Sequence, residues 1–184
     1  PPDPSQLTSP NKTPESLPPH RPPAIVRESG LGNEAGWIPV DRSSMATSKE
    51  RVYAIGDVTT VTLPGRWRPE VPLPLPKAGV FAHAQALAVA HTIAHRITGA
   101  GRPEIFCAGG YCMLEAGEQM AGFAYGDFYA EPSPRVELRK VGRSWHLGKV
   151  LFEKWWLSSV GPKRDLLRLA LLAGGRAWGV KLEL

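Results

Sequence analysis

The stretch Arg51-Val-Tyr-Ala-Ile-Gly-Asp57, followed further on by Leu75-Pro-Lys-Ala-Gly-Val-Phe-Ala82, decides how this chain is read. Val52 to Ile55 predict a short buried strand that ends in a Gly-Asp pair. In open α/β sheets ligands sit at the carboxyl ends of strands. Pro76 suits the first positions of a helix, and Ala78 to Ile97 continue as one long helical pattern that Gly99 stops. A carboxylate and a helix amino terminus are therefore expected to face one crevice. Asp57 can accept hydrogen bonds from sugar or sugar-alcohol hydroxyls, while the unpaired N–H groups and dipole of the helix beginning at Lys77 favour an anion.

A reduced flavin is such an anion, and the two segments together resemble the FAD-dependent pyridine-nucleotide-disulfide oxidoreductases, in their sulfide:quinone oxidoreductase-like branch. The resemblance implies that Ala54-Ile-Gly-Asp57 is the second FAD motif, with Asp57 on the ribityl chain and Gly56 allowing close approach. It places Lys77, Ala78, Gly79 and Val80 near the flavin ring and adds Val58 to the cofactor contacts. Glu28 to Asp41 resemble the segment that precedes the motif in that family, and the likeness covers roughly residues 18 to 157.

Composition sets outer bounds. A chain of 184 residues with an apolar fraction of 42% can bury a sizeable core. Of its 19 prolines, 14 gather in residues 1 to 23 and 64 to 76, marking two irregular segments within a globular whole. Net charge is +5, with basic residues concentrated after Arg135, yet no helix-turn-helix, zinc-finger spacing or RNP motif points to nucleic acid. Two cysteines make no disulfide framework, so a reducing, cytoplasmic setting is expected.

Along the chain, residues 1 to 22 predict a disordered Pro-rich leader. Residues 23 to 99 read as the carboxyl-terminal segment of a FAD-binding domain, with strands at Ala24 to Arg27, Trp37 to Val40 and Val52 to Ile55. Val58 to Pro76 read as a long irregular loop. Residues 100 to 160 read as an α+β interface domain: strands at Glu104 to Phe106, Tyr111 to Glu115, Gln119 to Tyr125 and Arg135 to Lys140, then a helix over Ser144 to Leu157. Residues 161 to 184 form an amphipathic tail. The fold class expected is thus α+β, the carboxyl-terminal part of a Rossmann-like flavoprotein fold with a β-rich interface domain and terminal helices.

Gly30-Leu-Gly-Asn-Glu-Ala-Gly36 imitates a dinucleotide fingerprint, but it lacks the preceding hydrophobic strand and the following helix, so it reads as a turn. No Rossmann opening is expected in this chain, and an amino-terminal Rossmann half is implied as a partner. What is left would show open sheet edges and an apolar face on the long helix.

Phe106-Cys-Ala-Gly-Gly-Tyr-Cys-Met-Leu-Glu115 resembles the family segment that carries a third redox cysteine, which implies a catalytic role for Cys112. Thiolate chemistry there needs a depressed pKa and access to the flavin; the alternative is a small cysteine buried in a strand. Cys107 departs from the pattern, and a Cys-x4-Cys pair alone is no metal site. His91 and His95 share a helix face without the glutamate of a zinc motif and read as exposed helix histidines. His83, on the same helix, lies close to the flavin in the resembled fold, and His146 reads as surface of the terminal helix. Asp165 to Ala173 are too short to span a bilayer, so residues 162 to 184 offer either peripheral membrane contact or a packed helix.

The function expected is electron transfer from sulfide, a thiol or NAD(P)H through FAD to a quinone-like acceptor, with no metal. The other reading is an inactive truncated flavoprotein fragment that serves as an interaction or membrane-surface module. The donor stays open, and the chain alone is expected to bind FAD weakly or not at all.

Overall fold

Where residues 24 to 27 predict a strand, the chain forms a short helix, α1 (Ala24–Glu28). Pro23, with φ fixed at −56°, presents its carbonyl to the N–H groups of Val26 and Arg27, which starts a helical turn instead. The computed structural model describes residues 21–180, 182 and 184, so the expected leader lies outside the described residues except for Arg21 and Pro22. Gly30 to Gly36 are turn and irregular chain between α1 and a two-residue strand, β1 (Ile38–Pro39). No strand-turn-helix unit is built there.

Val52 to Ile55 do not form the expected buried strand. Tyr53 makes one isolated antiparallel bridge with Ala46, Ala54 is buried, and Val52 and Ile55 are exposed. A strand exists only where a neighbour pairs with it, and none extends beyond that bridge. A 3-10 turn over Gly56–Val58 follows and leads into β2 (Thr59–Thr60), which pairs in parallel with β1.

The segment expected as an irregular loop is a ribbon of two antiparallel strands, β3 (Thr62–Arg68) and β4 (Val71–Pro74). A two-stranded ribbon has two free edges, so prolines without an N–H can sit where no ladder bond is required. Gly65, at φ +80°, accommodates the register shift between Thr62 and Arg66. The long helix α2 (Gly79–Thr98) then runs as expected, stopped by Gly99 in the left-handed conformation at φ +70°. Pro76 lies outside it, and Ala78 takes the N-cap.

The strand expected at Glu104 to Phe106 does not form, since these residues find no ladder partner; Phe106 donates one backbone bond to the Ser43 carbonyl. The meander β5 (Gly109–Gly117), β6 (Met120–Asp127) and β7 (Arg135–Gly142) follows, then α3 (Arg143–Trp156) and α4 (Pro162–Ala177). The chain is α+β, in keeping with part of a flavoprotein fold. Its free surfaces are where the pattern puts them: β7 is exposed along nearly all its length, and Leu87, Ile93 and Ile97 lie open on α2.

The core gathers on α2. Phe81, Ala88 and Val89 pack with Met45, Phe106 and Ala108. Phe81 stands edge-on to Phe106 and Phe128, with centroids 6.3 Å and 5.0 Å away. A second aromatic cluster binds α3 to the sheet, where Phe123 stacks on Trp145 at 4.5 Å and Trp145 meets Trp178 at 5.0 Å.

Polar groups reinforce the second junction. Glu115 of β5 lies 3.0 Å from Lys149 Nζ and 3.3 Å from His146 Nδ1, both on α3. The Lys149 hydrogen bond chiefly holds the Glu115 carboxyl below its usual range, and the same contact raises Lys149.

Two predictions follow from this packing. A Cβ on Gly110 would sit 2.4 Å from Phe81 Cε1, whereas one on Gly109 meets nothing within 4 Å. Gly110→Ala should therefore lower stability by about 1–3 kcal/mol and Gly109→Ala should have far less effect, as read from urea midpoints. Because Glu115 is lowered in the folded state, its contribution is full above the ordinary value of 4.5 and is lost as pH falls through the depressed value. The stability gap between wild type and Glu115→Gln should accordingly be steady near neutral pH and close below about pH 4.5.

Candidate functional site

Two groups of residues flank the start of α2. On one flank the 3-10 turn is tied down from both ends. Gly56, at φ +73°, donates its N–H to Gln85 Oε1 at 2.6 Å, and Gln85 is only 1% exposed. Lys77 reaches back from the helix start, donating to the carbonyls of Asp57 and Thr59, the latter at 3.2 Å. Its ammonium also stands 3.7 Å over the ring of Trp37. Burial lowers the Lys77 pKa, and the nearby Asp57 charge opposes that shift. The Asp57 carboxylate itself is exposed and makes no hydrogen bond among the described residues. Val58 is half-buried beside it.

On the other flank the helix opens onto a cavity. No side chain caps α2 at Ala78, whose carbonyl receives the N–H groups of Phe81 and Ala82. Gly79 and Val80 come before the first residue that can donate within the helix, so their N–H groups have no intrahelical acceptor. Ala78, Gly79 and Val80 line a cavity of about 400 Å³. Its other walls are Tyr111, Cys112 and Met113 of β5, and Lys149, Phe152, Glu153, Trp155 and Trp156 of α3. The aromatic wall is continuous: Phe152 stacks on Trp156 at 5.9 Å and meets Trp155 at 5.6 Å.

The structure therefore brings Cys112 together with Ala78, Gly79 and Val80, and gathers Gly56, Asp57, Val58 and Lys77 on the opposite flank. Lys77 points to the turn and not into the cavity. Cys112 is exposed, which removes the alternative of a buried strand cysteine, and both cysteines are free thiols. Cys107 faces a different and larger cavity of about 570 Å³. His91 and His95 are paired with Glu104 and the Ala100 carbonyl, and His146 with Glu115. Among the described residues no group of three or more His, Cys, Asp and Glu is gathered as a metal would require.

In the tail, Leu171 and Gly175 of α4 are buried, while Leu166 and Leu169 are exposed. No described helix is long and apolar enough to cross a membrane.

Gln85, Trp37 and Lys149 did not stand out in the sequence. A signal existed for Gln85: it occupies the core-facing series Phe81, Gln85, Ala88, Thr92 of α2, where an amide is out of place unless it is hydrogen-bonded. For Trp37 and Lys149 no spacing rule reaches across the separations involved.

No protein-family model matches the chain. Over 149 residues it is 29% identical to the sulfide-quinone reductase of Aquifex aeolicus (strain VF5). That match takes in 78% of this chain and 33% of the relative, so the chain spans about a third of the length of the curated relative it matches. The likeness falls in the same group of proteins that residues 51 to 82 resemble.

Proposed function

We propose that this chain is the flavin-facing and acceptor-facing part of a FAD-dependent oxidoreductase of the sulfide:quinone oxidoreductase type. The observation that carries the reading is the open start of α2, where Gly79 and Val80, whose N–H groups have no intrahelical acceptor, line one cavity with Cys112. Such donors suit the electron-rich edge of a flavin ring. The exposed Asp57 carboxylate suits ribityl hydroxyls, and Gly56, where a Cβ would press on Ala82 at 3.3 Å, lets the turn sit close against α2. Flavin, when bound, supplies the capacity to take up two electrons and pass them on. The aromatic wall of Phe152 and Trp156 suits a planar, quinone-like acceptor, and Cys112 is poised for a sulfur donor; thiols and NAD(P)H stay open as donors. The exposed Leu87, Ile93 and Ile97 face is where we place an amino-terminal Rossmann half, which would hold the pyrophosphate.

A second reading has one observation of its own. Exposed Leu166 and Leu169 next to Lys163 and Arg168 suit an anionic membrane surface, so residues 162 to 184 would seat the protein peripherally on the cytoplasmic membrane even if the chain were catalytically inactive. Liposome flotation with and without these residues separates that role from catalysis.

The catalytic reading is tested by joining the chain to a nucleotide-binding half taken from its relative and measuring bound flavin by absorbance. Asp57→Ala should weaken FAD binding about tenfold, the loss of roughly 1.4 kcal/mol of hydrogen bonding to the sugar alcohol. Cys112→Ser should keep the flavin yet abolish its bleaching by sulfide. A joined protein that carries no flavin would sink the reading, and sulfide bleaching that survives in Cys112→Ser would remove the thiol from it.

A further inference from the structure

Of the histidines among the described residues, three have a ring nitrogen committed to an acceptor: His91 to Glu104, His95 to the Ala100 carbonyl at 3.2 Å, and His146 to Glu115 at 3.3 Å. His83 makes no hydrogen bond through either nitrogen among these residues. Its ring stands edge-on to Trp156, with centroids 5.4 Å apart and planes at 76°. It lies one turn beyond the open helix start and lines the cavity that holds Cys112. The same side chain, with Val80 and Tyr111, also lines the larger cavity on the far side. An uncommitted imidazole thus forms part of the partition between two solvent-sized spaces.

We propose that His83 is the proton donor to the acceptor bound in the smaller cavity, and that the larger cavity is the route by which water recharges it. This rests on the flavin-and-acceptor reading above. Reducing a quinone-like acceptor to its diol consumes two electrons, drawn from reduced flavin, and two protons. His83, as imidazolium, breaks one N–H bond and forms one O–H bond on the acceptor, ending as neutral imidazole. Water supplies the second proton and then the one that restores His83.

Imidazole suits the task because its charge changes near neutral pH, and a general acid works best when it titrates near the working pH. The charges around it are mixed in sign. On the acceptor side Lys149 is offset by Glu153, beside the Cys112 thiol. On the far side Glu104 and Asp127 face Arg168, with Cys107 and the phenols of Tyr111 and Tyr125 nearby. Glu104 is already engaged by His91, and Lys149 by Glu115. Neither is free to carry the proton that His83 can.

The test is an NMR titration of the full chain, read at histidine ¹³Cε1, cysteine ¹³Cβ and the Trp indole N–H, between about pH 5 and about pH 8.5, with and without 2,3-dimethyl-1,4-naphthoquinone, whose ring has no free position for thiol addition, as the probe. The His83 signal, identified by its loss in His83→Gln, should shift when the probe is added. His83→Gln should weaken naphthoquinone binding about tenfold at the acid end, where the charged donor is lost, and much less at the alkaline end. If that variant fails to fold, His83→Asn takes its place for both the assignment and the binding comparison. Probe-induced shifts at Cys112 and Trp156 with His83 unmoved would overturn the role of His83 and leave the acceptor cavity standing. No shift at any of the three would overturn the cavity as an acceptor site, and His83 with it.

Discussion

One buried hydrogen bond sets the geometry on which the rest depends. Gln85 has almost no exposed surface, and its amide oxygen takes the N–H of Gly56 at 2.6 Å. A buried amide without a partner would cost about 1–3 kcal/mol, so the bond fixes where the strand-end turn sits against α2. With the Gly56 N–H turned inward, the next residue, Asp57, is left at the surface. Lys77 adds a second tie by drawing the carbonyls of Asp57 and Thr59 toward the helix start. Burial lowers the Lys77 pKa, and contacts with the Trp37 ring and two carbonyls favour its charged form.

The cavity has a different origin. Its floor is the start of α2, but its walls are set by how α3 lies on the meander. Phe123, nearly fully buried, stacks on Trp145, which leans on Trp178, and the Glu115 contacts with His146 and Lys149 add an electrostatic brace. α3 is thereby held with Phe152, Trp155 and Trp156 toward α2. Gly110 lets the edge of β5 approach Phe81 closely enough to bring Cys112 to the same space.

What the sequence discloses follows the range of the forces involved. The long helix and its glycine stop are local, and they are legible to within a residue or two, as are β5, β6, β7 and α3. Val52 to Ile55 carry strand-like side chains but find a pairing neighbour at one bridge only, and pairing is not a local property. Ala24 to Arg27 are decided by Pro23, whose fixed φ outweighs their β-branched content. The ribbon of Thr62 to Pro74 is hidden because its prolines read as breakers, though they are harmless on free edges. At the site, the meeting of Cys112 with Ala78 to Val80 is implied by the family likeness of the two segments. Their aromatic wall and the Lys77 contact with Trp37 arise only from tertiary packing.

The division of the site across the two flanks of one helix start constrains what can bind there. Lys77 compensates the carbonyls of the turn, so the positive end of α2, where Gly79 and Val80 line the cavity, is not spent on them. The exposed Asp57 carboxylate, on the other flank, offers acceptor oxygens. A ligand that uses both flanks must therefore offer hydroxyl donors at one end and an electron-rich planar edge at the other, joined by a segment that passes the helix start. A ribityl chain linked to an isoalloxazine ring has that order of groups. A simple anion would use the helix start alone, and a simple sugar would use Asp57 alone.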